Sequence, residues 1–262
     1  MPYEIKLAAA TIVERCLINM GYNEYSMVIV RGLLTQGLFP VVDMVGDIFR
    51  DMGLQPSGKD GTAQDNCLVG LILLMYAWYT IPETRDLDFF EYVKPRTYGD
   101  DMLAAVKKEV LPFYNNISYA NFCKQHYHMG VTPASKNGEL KEYLDVHSIS
   151  FLKRNFVYRK DLNRWVAPIS KESLVKTLSM YIPSNEVSES TQMLNMVTAS
   201  MWELFFHVDR LEYDRMRKEW YEYFSDTTSV TLFNTFVKTY DQLFDKFYKS
   251  ADELVDPLNE SS

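Results

Sequence analysis

Residues 62–79, TAQDNCLVGLILLMYAWY, become apolar almost all the way round after their first turn, and this run constrains the fold more than any other. A helix without a polar face has no side to give to water, so it must lie centrally and be covered by other elements. The apolar run CLVGLILLMYAWYT is shorter than the roughly 20 residues a membrane span needs. Burial in a protein core is therefore expected, and no transmembrane segment is. The chain has the material for it: 262 residues, 47% hydrophobic and 14% aromatic, enough for one large domain or two modest ones.

The flanking patterns set the coarse organisation. Leu7, Ala10, Val13, Leu17 and Met20 recur at helical spacing between Pro2, suited to a first turn, and Gly21, suited to a stop. Next, YSMVIVRGLLTQGLFPVVDMVGDIFRDMGLQPSG mixes β-branched pieces with Gly and Pro, which predicts turns and short strands. DFFEYVKPRTYGDDMLAAVKKEV reads as strand, tight turn, strand. Proline cannot donate to a central ladder, so the first strand is expected to be short or bulged at Pro95. Residues 116–129 form an amphipathic helical pattern stopped by Gly130, and the segment 147–170 reads as a hairpin turning near 160–164. Beyond Pro168 helical patterns dominate, over 171–181, 189–207, 210–224 and 231–254. A mixed α+β part followed by an all-helical part predicts two subdomains divided near Trp165.

The formal net charge of -8 argues against a generic basic nucleic-acid binder, though not against a nucleic-acid enzyme with local basic segments. Cys16, Cys67 and Cys123 have no CxxC spacing and read as reduced, buried thiols of an intracellular protein. The start, MPYE, carries no basic stretch, so no secretory signal is expected. His126 and His128, two apart near a helix end, fall on different faces and do not make a zinc pair.

The chemistry-bearing pieces stand in a definite order. QPSGKDGTAQDN is a Ser-Gly loop entering the apolar helix, with Thr62 and Asn66 four apart on one helix side. Alone it is a capped helix start or a binding loop. In YGDD, two adjacent carboxylates at a turn repel unless a cation sits beside them; the turn is either an ordinary solvated one or half of a site for a hard divalent ion. VTPASKNG carries Lys136 on a loop, and FLKR sets Lys153 and Arg154 at a strand end.

Taken together, the Ser-Gly loop with Thr and Asn, then YGDD, then TPA-x-K, then FLKR resemble the motifs of RNA-directed RNA polymerases of positive-strand RNA viruses. The likeness is greatest to the picornavirus-like group, including dicistrovirus and marnavirus types. It runs from about Gln55 to Pro168. It implies an α+β fold, a right-hand polymerase palm lacking its first strand followed by an all-helical thumb. Residues 1–165 would be a partial palm with a short fingers-derived segment around 23–55, and 166–262 the thumb.

The same resemblance implies the roles of single residues. Asp100 would be the main ligand of catalytic Mg²⁺ (or Mn²⁺) and Asp101 a weaker one. Ser57 and Gly58 would form the loop beside the nascent base pair, while Thr62 and Asn66 would help read the ribose 2′-hydroxyl. Lys136 would protonate the pyrophosphate leaving group, and Lys153 and Arg154 would grip the primer strand. RNA template, RNA primer and nucleoside triphosphates are the implied partners, in the host cytoplasm at membrane-associated replication complexes. The resemblance also implies a further pair of aspartates on a strand before Met1, in an N-terminal fingers and palm portion of the same polyprotein. Residues 1–262 alone are then expected to be inactive, and a palm–thumb fragment that only binds RNA or a partner is the alternative. Met102 stands where such polymerases commonly have asparagine.

Overall fold

The elements run in order as α1 (Tyr3–Asn19), α2 (Glu24–Leu38), β1 (Val41–Met44), β2 (Asp47–Arg50), α3 (Thr62–Thr80), α4 (Phe89–Tyr92), β3 (Val93–Tyr98), β4 (Asp101–Val106) and α5 (Asn116–Tyr127). Then follow β5 (Ser150–Phe151), β6 (Arg154–Asn155), β7 (Val157–Arg159), β8 (Arg164–Val166), α6 (Lys171–Ser179), α7 (Glu189–Phe205), α8 (Arg210–Ser225), α9 (Val230–Phe236) and α10 (Tyr240–Val255). The structure is a computed structural model and describes residues 2–50, 52, 61–134, 138–225 and 230–255. It divides into two units, Met1–Leu144 and Asp145–Ser262. Among the described residues the strands form four antiparallel pairs, β1–β2, β3–β4, β5–β6 and β7–β8.

The first unit is built on α3, as its apolar pattern requires. Val69, Leu73, Leu74, Ala77 and Trp78 are buried, each large aliphatic contributing about 1.5–3 kcal/mol by leaving water. Trp78 is 0% exposed and meets Phe89 and Tyr114 edge-on at 5.8 and 5.2 Å. Its indole N–H donates to the Leu87 carbonyl at 3.0 Å. The Tyr114 hydroxyl donates to Leu74 O at 2.9 Å, and buried Thr84 donates to Trp78 O at 2.7 Å. The Tyr114 and Thr84 hydroxyls are thus satisfied by carbonyls of α3. Among the described residues no helix is long and apolar enough to cross a membrane.

Four local expectations are corrected. Residues 24–38 form helix α2 instead of turns and short strands. Asn23 caps it by accepting from Ser26 N at 2.9 Å, and Met27 and Leu38 are buried. The buried Lys6 ammonium donates to Gly37 O at 3.3 Å near its end. Packing and capping outweigh the β-branched composition. Second, β3 runs unbroken through Pro95, which lies opposite Ala104. Tyr98 and Asp101 flank a two-residue turn, so pairing alternates and Pro95 falls in a wide pair whose nitrogen points away from β4. No ladder bond is lost. Third, α5 ends at His128 in the left-handed conformation (φ +54), before Gly130, and Met129 N–H reaches Cys123 O at 3.2 Å. Fourth, of the three cysteines only Cys123 is buried, Cys67 is half-buried and Cys16 exposed.

The second unit gathers Leu194, Val197, Met201, Phe205, Tyr213, Phe224, Phe233 and Leu243 from its helices, with Leu162 and Val166 inserted from the β7–β8 hairpin. The change of character near Trp165 therefore falls inside this unit. Arg159 ties the hairpin to the end of α7 by donating to Phe205 O at 3.1 Å and Val208 O at 2.7 Å. The pattern over 231–254 is not one helix but α9 and α10. Thr239 N donates to Gln242 Oε1 at 3.0 Å and Gln242 N to Thr239 Oγ1 at 3.3 Å, a capping box that starts α10.

Candidate functional site

The β3–β4 hairpin carries the YGDD sequence at its tip. Gly99 lies at φ +61 and Asp100 keeps a negative φ, the pattern of a type II′ turn with glycine at its first central position. A side chain at that φ would be strained, which is why glycine precedes the acidic pair. Asp100 and Asp101 are both exposed. Among the described residues neither carboxylate has an ion-pair or hydrogen-bond partner, and no group of three or more His, Cys, Asp or Glu gathers to hold a metal.

Helix α3 lies against this hairpin. Its N-terminus is left-handed Gly61 (φ +79), and Thr62 and Asn66 follow one turn apart. Asn66 Oδ1 is shut from solvent with no hydrogen-bond partner among the described residues. The next residue, Cys67, meets the hairpin directly. Its thiol donates to Thr97 O at 3.4 Å, and the Gly99 N–H donates to its sulfur at 3.2 Å. One turn on, a Cβ at Gly70 would stand 3.2 Å from Met102 Sδ and 3.7 Å from Thr97 Cγ2. Glycine is what lets strand and helix approach so closely. Met102 is backed in turn by the Tyr119 hydroxyl, 3.9 Å from its sulfur. Burial pushes the Tyr119 phenol well above its usual range, so it stays a neutral donor.

Ser57, Gly58 and Lys136 lie outside the described residues. Lys153 and Arg154 belong to the second unit, and they differ in kind. Leu152 and Lys153 form a two-residue turn with both residues left-handed, at φ +54 and +60. Neither is glycine, so each costs on the order of 1 kcal/mol. The turn is held by Ser170 N–H donating to Lys153 O at 2.8 Å, and the Lys153 side chain is exposed. Arg154 is already engaged: it donates to Ala167 O at 2.8 Å and, through both terminal nitrogens, to Glu203 at 3.0 and 2.6 Å. The Glu203 carboxylate pushes the guanidinium pKa up, against partial desolvation.

The sequence pointed to Asp100, Asp101, Thr62 and Asn66 but not to Cys67 or Gly70. A signal existed: positions 67 and 70 share one stripe of a helix and interrupt its large apolar residues with small ones. Elsewhere, the His126 ring lies tilted against Phe122 with centroids 4.7 Å apart, and His128 caps the end of α5.

The comparisons with known proteins agree with one another. The family model described as Viral RNA-dependent RNA polymerase matches residues 32–225. The chain is 25% identical over 206 residues to the replicase polyprotein of Cricket paralysis virus, covering 76% of this chain and 11% of that one. It is 28% identical over 169 residues to the replicase polyprotein of Drosophila C virus, covering 62% and 9%. Among solved structures it resembles the Sicinivirus 3Dpol RNA dependent RNA polymerase, with a TM-score of 0.56 and 23% identity, over 71% of this chain and 36% of that one. The chain thus spans a small part of the polyproteins it matches. Its α+β fold is that of a picornavirus polymerase, and the chain belongs to the viral RNA-dependent RNA polymerase family, homologous to picornavirus-like replicase polyproteins.

Proposed function

We propose that this chain supplies palm and thumb portions of a picornavirus-like RNA-directed RNA polymerase and that the hairpin tip at Asp100 and Asp101 is its catalytic turn. The reaction is template-directed transfer of a nucleoside monophosphate to an RNA 3′-end, with pyrophosphate released. The observation that carries this reading is the pair of adjacent carboxylates on a type II′ tip, with no protein cation against either among the described residues. Such a donor set, hard oxygens only, fits Mg²⁺ or Mn²⁺. When bound, the ions would neutralise charge on the attacking and leaving oxygens of an in-line displacement. Asp100 is the main ligand and Asp101 the accessory one.

The remaining residues bind and orient. Asn66 offers a buried acceptor with no partner among the described residues, which supports a part for Asn66 with Thr62 in holding a ribose 2′-hydroxyl. Ser57 and Gly58 shape the loop beside the nascent pair, and Lys136 gives a proton to the departing pyrophosphate. Because the Arg154 charge is committed to Glu203, the phosphate contact of the FLKR turn falls chiefly to Lys153. Residues 1–165 are read as partial palm with a short fingers-derived segment around 23–55, and 166–262 as the helical thumb. The enzyme acts in the host cytoplasm at membrane-associated replication complexes.

The test is primer extension by the full-length polymerase carrying these residues. Asp100→Asn is expected to lower Mg²⁺-dependent incorporation on the order of a hundredfold or more; unchanged incorporation would sink the reading. Residues 1–262 alone are expected not to extend a primer; salt-dependent RNA binding without incorporation would favour the alternative, a fragment that only binds RNA or a partner.

A further inference from the structure

We propose that Cys67 is a positioning residue that clamps the acidic hairpin tip through its backbone; this rests on the polymerase reading of Asp100 and Asp101. Two like charges side by side at a turn repel, so nothing in the tip itself favours one fixed placement of the carboxylates. The hairpin's own ladder does not supply the restraint. Thr97 lies opposite Met102, next to the bonded Tyr98–Asp101 pair, so alternation turns its carbonyl away from β4. The Gly99 N–H belongs to the turn itself, outside the strand ladder. A single sulfur on α3 meets both, accepting from Gly99 and donating to Thr97. The clamp thus grips the chain on either side of Tyr98, immediately before Asp100.

The residue type suits the task. A thiol both donates and accepts, and it brings no charge beside a metal-binding turn. A lysine there would neutralise the aspartates; a carboxylate would add to their repulsion. Gly70, one helical turn along, lets Met102 and Thr97 come near enough for the sulfur to reach. The helix that carries Asn66 therefore also sets where Asp100 stands, through the adjacent residue. Substrate-facing and metal-facing groups are referenced to one rigid element.

The test compares Cys67→Ser, Cys67→Val and Cys67→Ala in the full-length polymerase. The readouts are kcat, KM for RNA, the Mg²⁺ midpoint, and hydrogen exchange of the segment spanning Gly99. Serine keeps a donor and acceptor, whereas valine keeps the bulk and removes both bonds. Serine is expected to stay within about threefold of wild type in kcat, and valine and alanine to lose about tenfold, the scale of two weak hydrogen bonds. KM for RNA stays unchanged, the Mg²⁺ midpoint rises and Gly99 exchange quickens in the latter two. Wild-type kcat and Gly99 exchange in Cys67→Val would overturn the clamp and leave a packing role. Serine as impaired as alanine would overturn it as well. If wild type extends no primer the polymerase reading fails, whereas Gly99 exchange in the three variants still judges the clamp.

Discussion

Replacing Arg154 with alanine removes three hydrogen bonds at once, one to Ala167 O and two to Glu203. The side chains are 38% and 18% exposed, so the pair lies between two known regimes. Exposed pairs contribute about 0–1 kcal/mol, and breaking a buried one costs about 3–5 kcal/mol. A loss of about 2 kcal/mol follows, most of it from leaving the less exposed Glu203 carboxylate and the Ala167 carbonyl without their donor. Urea unfolding followed by the fluorescence of Trp165 and Trp202, both in the same unit, reads the change as a lower midpoint at constant slope. With Glu203→Gln as partner, a double-mutant cycle is expected to return a coupling of about 1 kcal/mol. An unchanged midpoint, or coupling near zero, would refute the reasoning and return Arg154 to RNA. Lys153→Ala is the control of opposite sign. Stability holds or rises slightly, while the salt dependence of RNA binding falls by about one phosphate contact.

At Gly70, alanine gains about 1 kcal/mol of helix propensity but must displace Met102 Sδ from 3.2 Å. Gly70→Ala should therefore melt near wild type yet incorporate more slowly, whereas Gly70→Val should lose both; equal activity of all three would contradict the close-approach argument. Asp161 is held at a pKa of about 2, below its usual value, first by the Arg159 hydrogen bond and also by the Tyr240 hydroxyl. A lowered carboxylate stabilises the fold above its unfolded pKa and loses that contribution as pH falls through its folded one. Asp161 is two-fifths exposed, so solvent screening reduces the effect to about 1 kcal/mol. Asp161→Asn should therefore be less stable than wild type at pH 7, with the gap closing between about pH 4 and 2 in urea titrations. Thr239→Ala deletes half of the α10 capping box and should cost about 1 kcal/mol, read as a lower melting temperature that Thr239→Ser restores.

What the sequence made legible depended on how local the cause was. The burial of α3 follows from its lack of a polar face, and the acidic hairpin follows from Gly99 with its flanking strand patterns. The break between α9 and α10 was equally local, since Thr239 and Gln242 stand at capping-box spacing, but the aromatic periodicity on both sides concealed it. Pro95 reads as a strand breaker from sequence because composition does not carry the register, and it is the register that puts its nitrogen in a wide pair. Helix α2 depends on packing that β-branched composition does not reveal. At the site, the carboxylates announce themselves by charge. Cys67 and Gly70 acquire meaning only once the hairpin is docked on the helix. Arg154 meets Glu203 across 49 positions, a separation at which no sequence pattern signals a partner.

The hairpin's two outer margins are unequal. On β3, the groups facing outward belong to Val93, Pro95 and Thr97, by the alternation of the pairing. Proline brings no donor, the Pro95 carbonyl receives the Arg96 guanidinium at 2.9 Å, and the Thr97 carbonyl receives the Cys67 thiol. On β4, Met102, Ala104 and Val106 present donors and acceptors that no other strand takes among the described residues. A sheet built on this hairpin can widen in one direction only. Any strand arriving from another segment or another chain would lie alongside β4, next to Asp101, rather than along β3.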